Sequence, residues 1–429
     1  MAAGRTTSTR RALAASLVGT SIEFYDFYVY ATAASLVFGE LFFPSADPGT
    51  QQLAAFASLG VAFVARPLGA AFFGHFGDRI GRKSTLVASL LTMGLSTMLV
   101  AALPTYASLG WAAAALLCLL RFGQGFGLGG EWGGAALLAV EHAPPGFRAR
   151  FGMFPQLGAP VGFIAANGLY LLLGLWLGPR QFHDWGWRIP FALSSILVVV
   201  GLWVRLKLTE TPEFAAALAA APPPAVPLAT LLRHHWRPLI GGTLGAVACF
   251  VLYYLATAFA LGYGTKTLGY TMKQFLGVQL GAILVMAVTI VASAWAADRH
   301  WDERRVLIGG CAGAIAIGFL MQPLMGSGSL AGVFLFLALC MFMMGFCYGP
   351  LGGWLPSLFP PMVRYSGVST AFNLAGILGG GLTPVAAQAL ASRGGLAPVG
   401  LYCSGLSALS LVALLALGSC KRPADGLPG

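Results

Sequence analysis

The sequence predicts an all-α integral membrane protein of twelve transmembrane helices in two six-helix bundles, and three observations carry that reading. Only 9% of the 429 residues are charged while 57% are hydrophobic, against roughly 25% charged in an ordinary soluble domain. Apolar stretches long enough to cross a bilayer, about 20 residues of helix, recur along the whole chain. The longest polar interruption, KLTETPEFAAALAAAPPPAVPLATLLRHH, splits them six and six. That division sets an N-terminal bundle at 1–206, a cytoplasmic linker at 207–235 and a C-terminal bundle at 236–429.

The first run, 12–38, holds SIEFYDFYVY, which places Glu23 and Asp26 three residues apart in a stretch with no basic residue. An Arg-Arg pair before an apolar run resembles a secretory signal, but the apolar core of a signal is about 7–15 residues and would not carry two acids. At 1.5 Å per residue from Ala12, the carboxylates lie about 16 and 21 Å into the helix, and residues three apart share a face. Phe24, Tyr25, Phe27, Tyr28 and Tyr30 surround them. A tyrosine hydroxyl at that depth wants a partner, so Tyr25 and Tyr30 enter as substrate-binding candidates.

The second run, 52–74, carries Arg66 in FVARPLG. The loop behind it, GHFGDRIGRK at 74–83, has glycines for a tight turn, an acid that can accept hydrogen bonds from a helix end, and basic residues suited to an anionic leaflet. Gly74, Asp78, Arg79, Gly81, Arg82 and Lys83 therefore read as a gate-like hinge. After a third run at 84–103, the fourth, 110–138, contains RFGQGFGLGGEWGGAALL. Its glycines let another backbone, or a ligand, approach closely. Arg121 lies about 16 Å in and Arg66 at similar depth, and guanidinium groups there need interior partners. Both count as substrate-binding candidates, with Gln124. Glu131 lies about 15 Å nearer the cytoplasm than Arg121, where it pairs with the basic loop or caps the helix end. It joins the gating set with Glu141.

The fifth run, 150–177, opens after PPGFR at 144–148, and the eleventh, 366–390, after PPMVR at 360–364. Asp78-Arg79 returns as Asp298-Arg299 behind the eighth run, 274–297. Offsets of about 216 and 220 residues between these copies favour a carrier built by parallel duplication. They add Arg148, Asp298 and Arg299 to the gating set. The second loop, AADRHWDERR at 296–305, lacks both glycines of the first. Runs at 186–206, 236–262, 306–323, 330–358 and 397–419 complete the twelve. Helix seven offers Tyr253 and Tyr254 as counterparts of the helix-one tyrosines. The C-terminal half has only amides such as Gln279, Asn373 and Gln388 within its spans, so charge-based coupling belongs to the N-terminal half and Asn373 is a polar candidate for the solute.

A net charge of +11 in a soluble protein would point to nucleic acid. Here, with the N-terminus cytoplasmic, 18 of the 25 Lys and Arg residues fall on the cytoplasmic side, with Arg180, Arg188, Lys266, Lys273 and Arg393 outside and Arg66 and Arg121 in the membrane. No nucleic-acid partner is implied. The seven cysteines are scattered singly, which implies neither a disulfide framework nor a metal site. The six histidines fall in loops, which argues against a histidine proton relay. No GxxxxGK[ST] loop offers a nucleotide site, and no cofactor is expected.

Two acids and two bases thus share the membrane layer, and simple neutral pairing is one account of them. The functional account is that one carboxylate titrates. Burial raises a carboxyl pKa while a nearby arginine lowers it, so an anionic solute that draws the arginine away makes the acid easier to protonate. The chain then carries solute and proton together.

The spacing G-x-x-x-D-R-x-G-R-K matches in full the loop signature of the major facilitator superfamily. GTSIEFYDFYVY, FVARPLGAAFFGHFGDRIGRK, LLRFGQGFGLGGEWGGAALLAVE and WGWRIPFALS resemble its metabolite:proton symporters, the shikimate, alpha-ketoglutarate, citrate and proline/betaine permeases. GGEWGGAALL and WGWRIP are most similar to the shikimate-permease-like branch. The resemblance is dense in the first half and general in the second. It implies an inner-membrane carrier working by alternating access, with proton-coupling acids at Glu23 and Asp26, arginines at Arg66 and Arg121, and a gating loop at Asp78, Arg79, Arg82 and Lys83. The short tail after helix twelve departs from the osmosensing members, so osmotic sensing is not expected.

The reading that results is a transporter, not an enzyme, importing a small organic anion with protons. It lies in the bacterial inner membrane among lipid, is sufficient as a monomer, and has both termini cytoplasmic. Import of a zwitterion such as proline or betaine is the alternative, with the acids of helix one on the solute. A drug efflux antiporter, which shares the loop motif, is the lesser alternative, since such carriers usually show a Gly-Pro motif in helix five and FGMFPQLGAPVG has proline without that spacing; a receptor would need a signalling domain that KRPADGLPG does not supply.

Overall fold

A computed structural model of the protein describes residues 2–80, 82–141, 143–206, 227–360 and 363–417; within these, the side chains of 2–12, 15, 74–80, 82–86, 138, 141, 204–206 and 227 are not described. Lipid offers backbone groups no hydrogen bonds, so a spanning chain must satisfy them within each helix. The described residues accordingly form helices and turns without a strand.

The first bundle comprises α1 (2–42), α2 (Pro48–Ile80), α3 (Arg82–Ala102), α4 (111–141), α5 (Arg148–Trp176) and α6 (Ile189–Leu206). The second comprises α7 (236–266), α8 (Met272–Arg299), α9 (Glu303–Met325), α10 (Leu330–Ser357), α11 (364–394) and α12 (Leu396–Ala416). Among the described residues ten helices are long and apolar enough to cross a membrane, and Val87–Ala102 of α3 is a shorter apolar stretch.

Local chemistry fixes several ends. Pro48 opens α2 where its missing N–H goes unneeded, and the Asp47 carboxylate accepts from the Thr50 hydroxyl and N–H at 2.6 and 2.7 Å. The Thr50 hydroxyl, then the backbone bonds, hold the Asp47 carboxyl below the usual carboxylate range. Thr271 and Gln274 form a capping box on α8. Gly395, at φ +71°, reverses the chain between α11 and α12 in a conformation that favours glycine.

Four irregularities depart from the uniform runs read in the sequence. Helix α4 breaks in a turn at Gly129 and Gly130, between Trp111–Leu128 and Glu131–Glu141. Helices α1, α7 and α11 each contain a π-turn, at Ala34–Phe38, Leu255–Phe259 and Gly376–Gly381. The segment read as linker holds a helix, Pro227–His234; residues 207–226 lie outside the described ones.

Within the first bundle α1 packs on α5, and α4 packs on α2 and α3; within the second, α10 packs on α8 and α9, and α12 on α7 and α9. Helix α5 meets α8 and α10 across the divide, and α2 meets α11. The α2–α4 contact is backbone to backbone, since a Cβ on Gly125 would strike the Ala62 main chain and one on Gly129 the Arg66 carbonyl.

Candidate functional site

A cavity of about 40 Å³ lies between the bundles, room for about three waters at some 10–15 Å³ each. Glu23, Phe24 and Tyr28 of α1 line it, with Arg66 of α2, Leu128 and Trp132 of α4, Ala159 of α5, and Cys249, Phe250, Tyr253 and Tyr254 of α7. Met344 and Tyr348 of α10 and Phe372 and Asn373 of α11 close it. The Arg66 guanidinium lies 4.7 and 4.8 Å from the ring centres of Phe27 and Phe63. Its Nε is buried without a hydrogen-bond partner among the described residues, as is the Tyr253 hydroxyl.

The sequence places both acids and both bases in one membrane layer, and the structure divides them between the cavity wall and a second layer behind it. Glu23 and Arg66 border the cavity, whereas Arg121, Asp26, Gln124, Tyr25 and Tyr30 do not. Arg121 donates from Nη1 to Gln124 at 2.9 Å, Gln124 donates to the Thr97 hydroxyl at 2.8 Å, and Thr97 donates to Asp26 at 3.1 Å. Ser194 of α6 completes the chain with a bond to Asp26 at 2.5 Å. Arg121 lies 4.2 Å from the Phe27 ring centre and 4.1 Å from that of Tyr30. Phe27 thus borders both guanidiniums. The Tyr25 hydroxyl is spent on the Pro190 carbonyl at 2.9 Å, and that of Tyr30 pairs with Ser58 at 2.9 Å.

Helix geometry explains the division. Three residues turn a helix through 300°, so Glu23 and Asp26 point about 60° apart. That angle sends Glu23 to the cavity and Asp26 toward α3 and α6. The sequence also gave no reason to single out Tyr28, stacked on Tyr253 at 5.4 Å, or Trp132, Tyr348 and Phe372. Aromatic residues are common throughout these runs, and only the fold selects which rings face inward.

Contacts between the bundles flank the cavity on both sides. On one, which we call the Asp298 face, the Asp298 carboxylate accepts from the backbone N–H groups of Ala149 and Arg150 at 3.0 and 2.9 Å and from Arg150 Nε at 3.0 Å. A carboxylate of α8 thereby caps the N-terminus of α5 in the other bundle. Arg150, not Arg148, is its partner; Arg148 Nε is buried without a hydrogen-bond partner among the described residues. Arg299 is exposed and lies over Trp295 of its own helix at 4.8 Å. Above this layer the α4 break meets α11. Asn373 Nδ2 donates to the Gly129 carbonyl at 2.8 Å, the Tyr365 hydroxyl donates to that of Gly130 at 2.6 Å, and Trp132 stacks on Phe372 at 3.6 Å. Asn373 Nδ2 also reaches the Ser369 carbonyl at 2.9 Å.

Glu131 begins the second half of α4 and accepts from Ser89 of α3 at 2.6 Å, within its own bundle. Gly74, Asp78, Arg79, Arg82, Lys83 and Glu141 belong to helices by their backbone, and their side chains lie outside the described residues; Gly81 lies outside them altogether. On the opposite face, Lys266 of α7 pairs with Glu40 of α1 at 3.4 Å, and His183 stands 3.4 Å from the same carboxylate.

A family model described as "Sugar (and other) transporter" matches residues 12–220. The chain is 47% identical over 412 residues to the inner membrane metabolite transport protein YhjE of Escherichia coli K12, covering 95% of this chain and 94% of that one. It is 38% identical over 388 residues to the shikimate transporter of the same organism, covering 89% and 87%. The major facilitator proton:xylose symporter XylE, from E. coli, matches the fold with a TM-score of 0.73 over 96% of each chain at 17% identity. Relatives this similar over nearly the whole length carry the assignment, and the solved structure agrees in fold. The chain belongs to the major facilitator superfamily, among its metabolite transporters, and is a multi-pass membrane carrier of twelve helices rather than an enzyme.

Proposed function

We propose that the protein imports a small carboxylated metabolite together with one or more protons, through alternating access of the bundles 1–206 and 236–429 to the central cavity. The observation that carries this reading is Arg66, a guanidinium in the cavity wall whose Nε lacks a hydrogen-bond partner among the described residues. A carboxylate complements such a fork with two charge-assisted bonds. The Tyr253 hydroxyl supplies a further donor. Asn373, with its amide N–H groups already committed, offers its carbonyl oxygen.

Asp26 carries the proton in the layer behind Phe27, with Glu23 the second acid at the wall. The relay through Thr97 and Gln124 ties Asp26 to Arg121. An anion on Arg66 subtracts positive potential from the space that the two guanidiniums share, which favours a proton on Asp26. Each cargo then strengthens the binding of the other, as symport requires.

The relatives support this reading. One is named a shikimate transporter, and the structurally similar XylE is named a proton:xylose symporter. The distribution of basic residues supports placing the Asp298 face and both termini in the cytoplasm of a bacterial cell, with the carrier sufficient as a monomer among lipid in the inner membrane. Asp78, Arg79, Arg82, Lys83, Glu131 and Glu141 then belong to the inward gate.

A zwitterionic solute is the second reading. Glu23 and the rings of Tyr28, Tyr253 and Tyr254 share the wall with Arg66, and an ammonium group suits an acid beside aromatic faces. A relative from Dickeya dadantii, 33% identical over 88% of this chain, is named a glycine betaine/proline/ectoine/pipecolic acid transporter. Proteoliposome uptake across a panel of organic acids and betaines, with and without an acid-outside pH gradient, separates the two. An organic acid accumulated only with the gradient is the expected result. Betaine uptake selects the second reading, and uptake of an acid that ignores the gradient overturns proton symport.

A further inference from the structure

Two of the three π-turns meet on the face opposite Asp298. They are five-residue segments, Ala34–Phe38 in the first helix of one bundle and Leu255–Phe259 in the first helix of the other. Their offset of about 220 residues is that of the repeated Asp-Arg pair. A π-turn adds one residue to a helix and leaves carbonyl groups short of their usual donors. In each bundle a glutamine of the second helix supplies what is missing. Gln52 donates from Nε2 to the Ala34 carbonyl at 3.2 Å. Gln279 donates to the carbonyls of Ala256 and Thr257 at 2.9 and 2.8 Å. The third π-turn, Gly376–Gly381, instead packs its glycines against rings, Phe63 chief among them.

The braced turns touch one another across the bundle divide. The Ser35 hydroxyl, inside the first, is shared between the Ala31 carbonyl of its own helix at 2.8 Å and the Ala258 carbonyl, inside the second, at 3.0 Å. Gly262, just beyond the second turn, packs against the Gln52 amide so closely that an added Cβ would come within 3.2 Å of it. Both glutamines are buried, and Oε1 of each is without a hydrogen-bond partner among the described residues.

We propose that Gln52 and Gln279 are the positioning residues of the gate on this face: each amide holds a π-turn in the first helix of its bundle, and the paired turns close the cavity. The proposal rests only on the chain being a carrier, so it stands or falls independently of the solute and of proton coupling.

Gln52→Met and Gln279→Met keep the length of the side chain and remove the amide. In the full chain with its native cysteines replaced, spin labels at Arg180→Cys and Lys273→Cys report separation on this face, and labels at Pro145→Cys and His300→Cys report the Asp298 face. Gln52→Met is expected to raise the open population on the gated face about fivefold, the effect of losing one ordinary hydrogen bond, and Gln279→Met, which loses two, by more. The double variant raises it further, and the Asp298 face does not open. Gln52→Asn and Gln279→Asn, too short to reach the turns, shift it the same way, which keeps the test available should a methionine variant fail to insert. Ser35→Ala, which leaves both braces intact and cuts the bond between the turns, also shifts it toward opening. Distance distributions unchanged on the gated face, with only a lower thermal midpoint, would mean that the glutamines merely stabilise their bundles, and would overturn the proposal.

Discussion

Arg66 and Arg121 lie 4.7 and 4.2 Å from the centre of the Phe27 ring, and only Arg66 borders the cavity. Arg66→Lys replaces a planar fork by a point charge, so uptake at low solute concentration is expected to fall at least about tenfold, the loss of one good bond. The measurement is initial rate against solute concentration, with the change in KM. Asp26→Asn keeps a polar group for Ser194 and Thr97 but cannot release a proton. Stimulation by a pH gradient should vanish while solute exchange at equal pH persists, and a variant still driven by the gradient would move proton coupling away from Asp26. The depth of these four charges is legible in the sequence, because 1.5 Å per residue needs only a count. Their division into two layers is not. It depends on 60° of helix azimuth and on the placement of Phe27, which reads in the sequence as one aromatic residue among five.

At the scale of the element, α4 shows what a run of glycines does and does not disclose. Seven glycines between Arg121 and Leu138 announce close backbone packing, and Gly125 against Ala62 supplies it. Gly125→Ala should therefore cost about 1–3 kcal/mol, as overpacking typically does, and lower the thermal midpoint. Gly168→Ala on α5 has open space around it and should be tolerated. A midpoint unchanged by Gly125→Ala would refute the backbone contact. The break at Gly129 and Gly130 is hidden in the sequence, since no one of seven glycines stands out. It becomes visible only once Asn373 and Tyr365 of α11 are seen to take the carbonyls. The π-turns are silent for a similar reason, because one inserted residue barely disturbs an apolar run that is hydrophobic all round.

At the scale of the whole molecule the two closures are built from unequal chemistry. Asp298 is largely buried against the start of α5 and accepts three charge-assisted bonds there. The Glu40 side chain stands half in solvent and that of Lys266 about a quarter, and an ion pair so exposed contributes about 0–1 kcal/mol. Asp298→Ala is thus expected to shift the carrier strongly toward opening on its own face, and Lys266→Ala to change little on the other. Labelling rates of reporter cysteines on the two faces test this, and equal effects would show that the closures carry equal weight. Twelve spans, the six-and-six division and the repeated loop could be read from composition and offset alone. Which face is more tightly sealed could not, because Arg150 is an ordinary basic residue until α8 brings Asp298 against it.

Asn373 borders the chamber with one end of its amide and fastens the fractured fourth helix with the other. On the proposed reading, in which the solute meets Asn373, a pull on this side chain is also a pull on the Gly129 carbonyl, so substitutions there are expected to change affinity and turnover together.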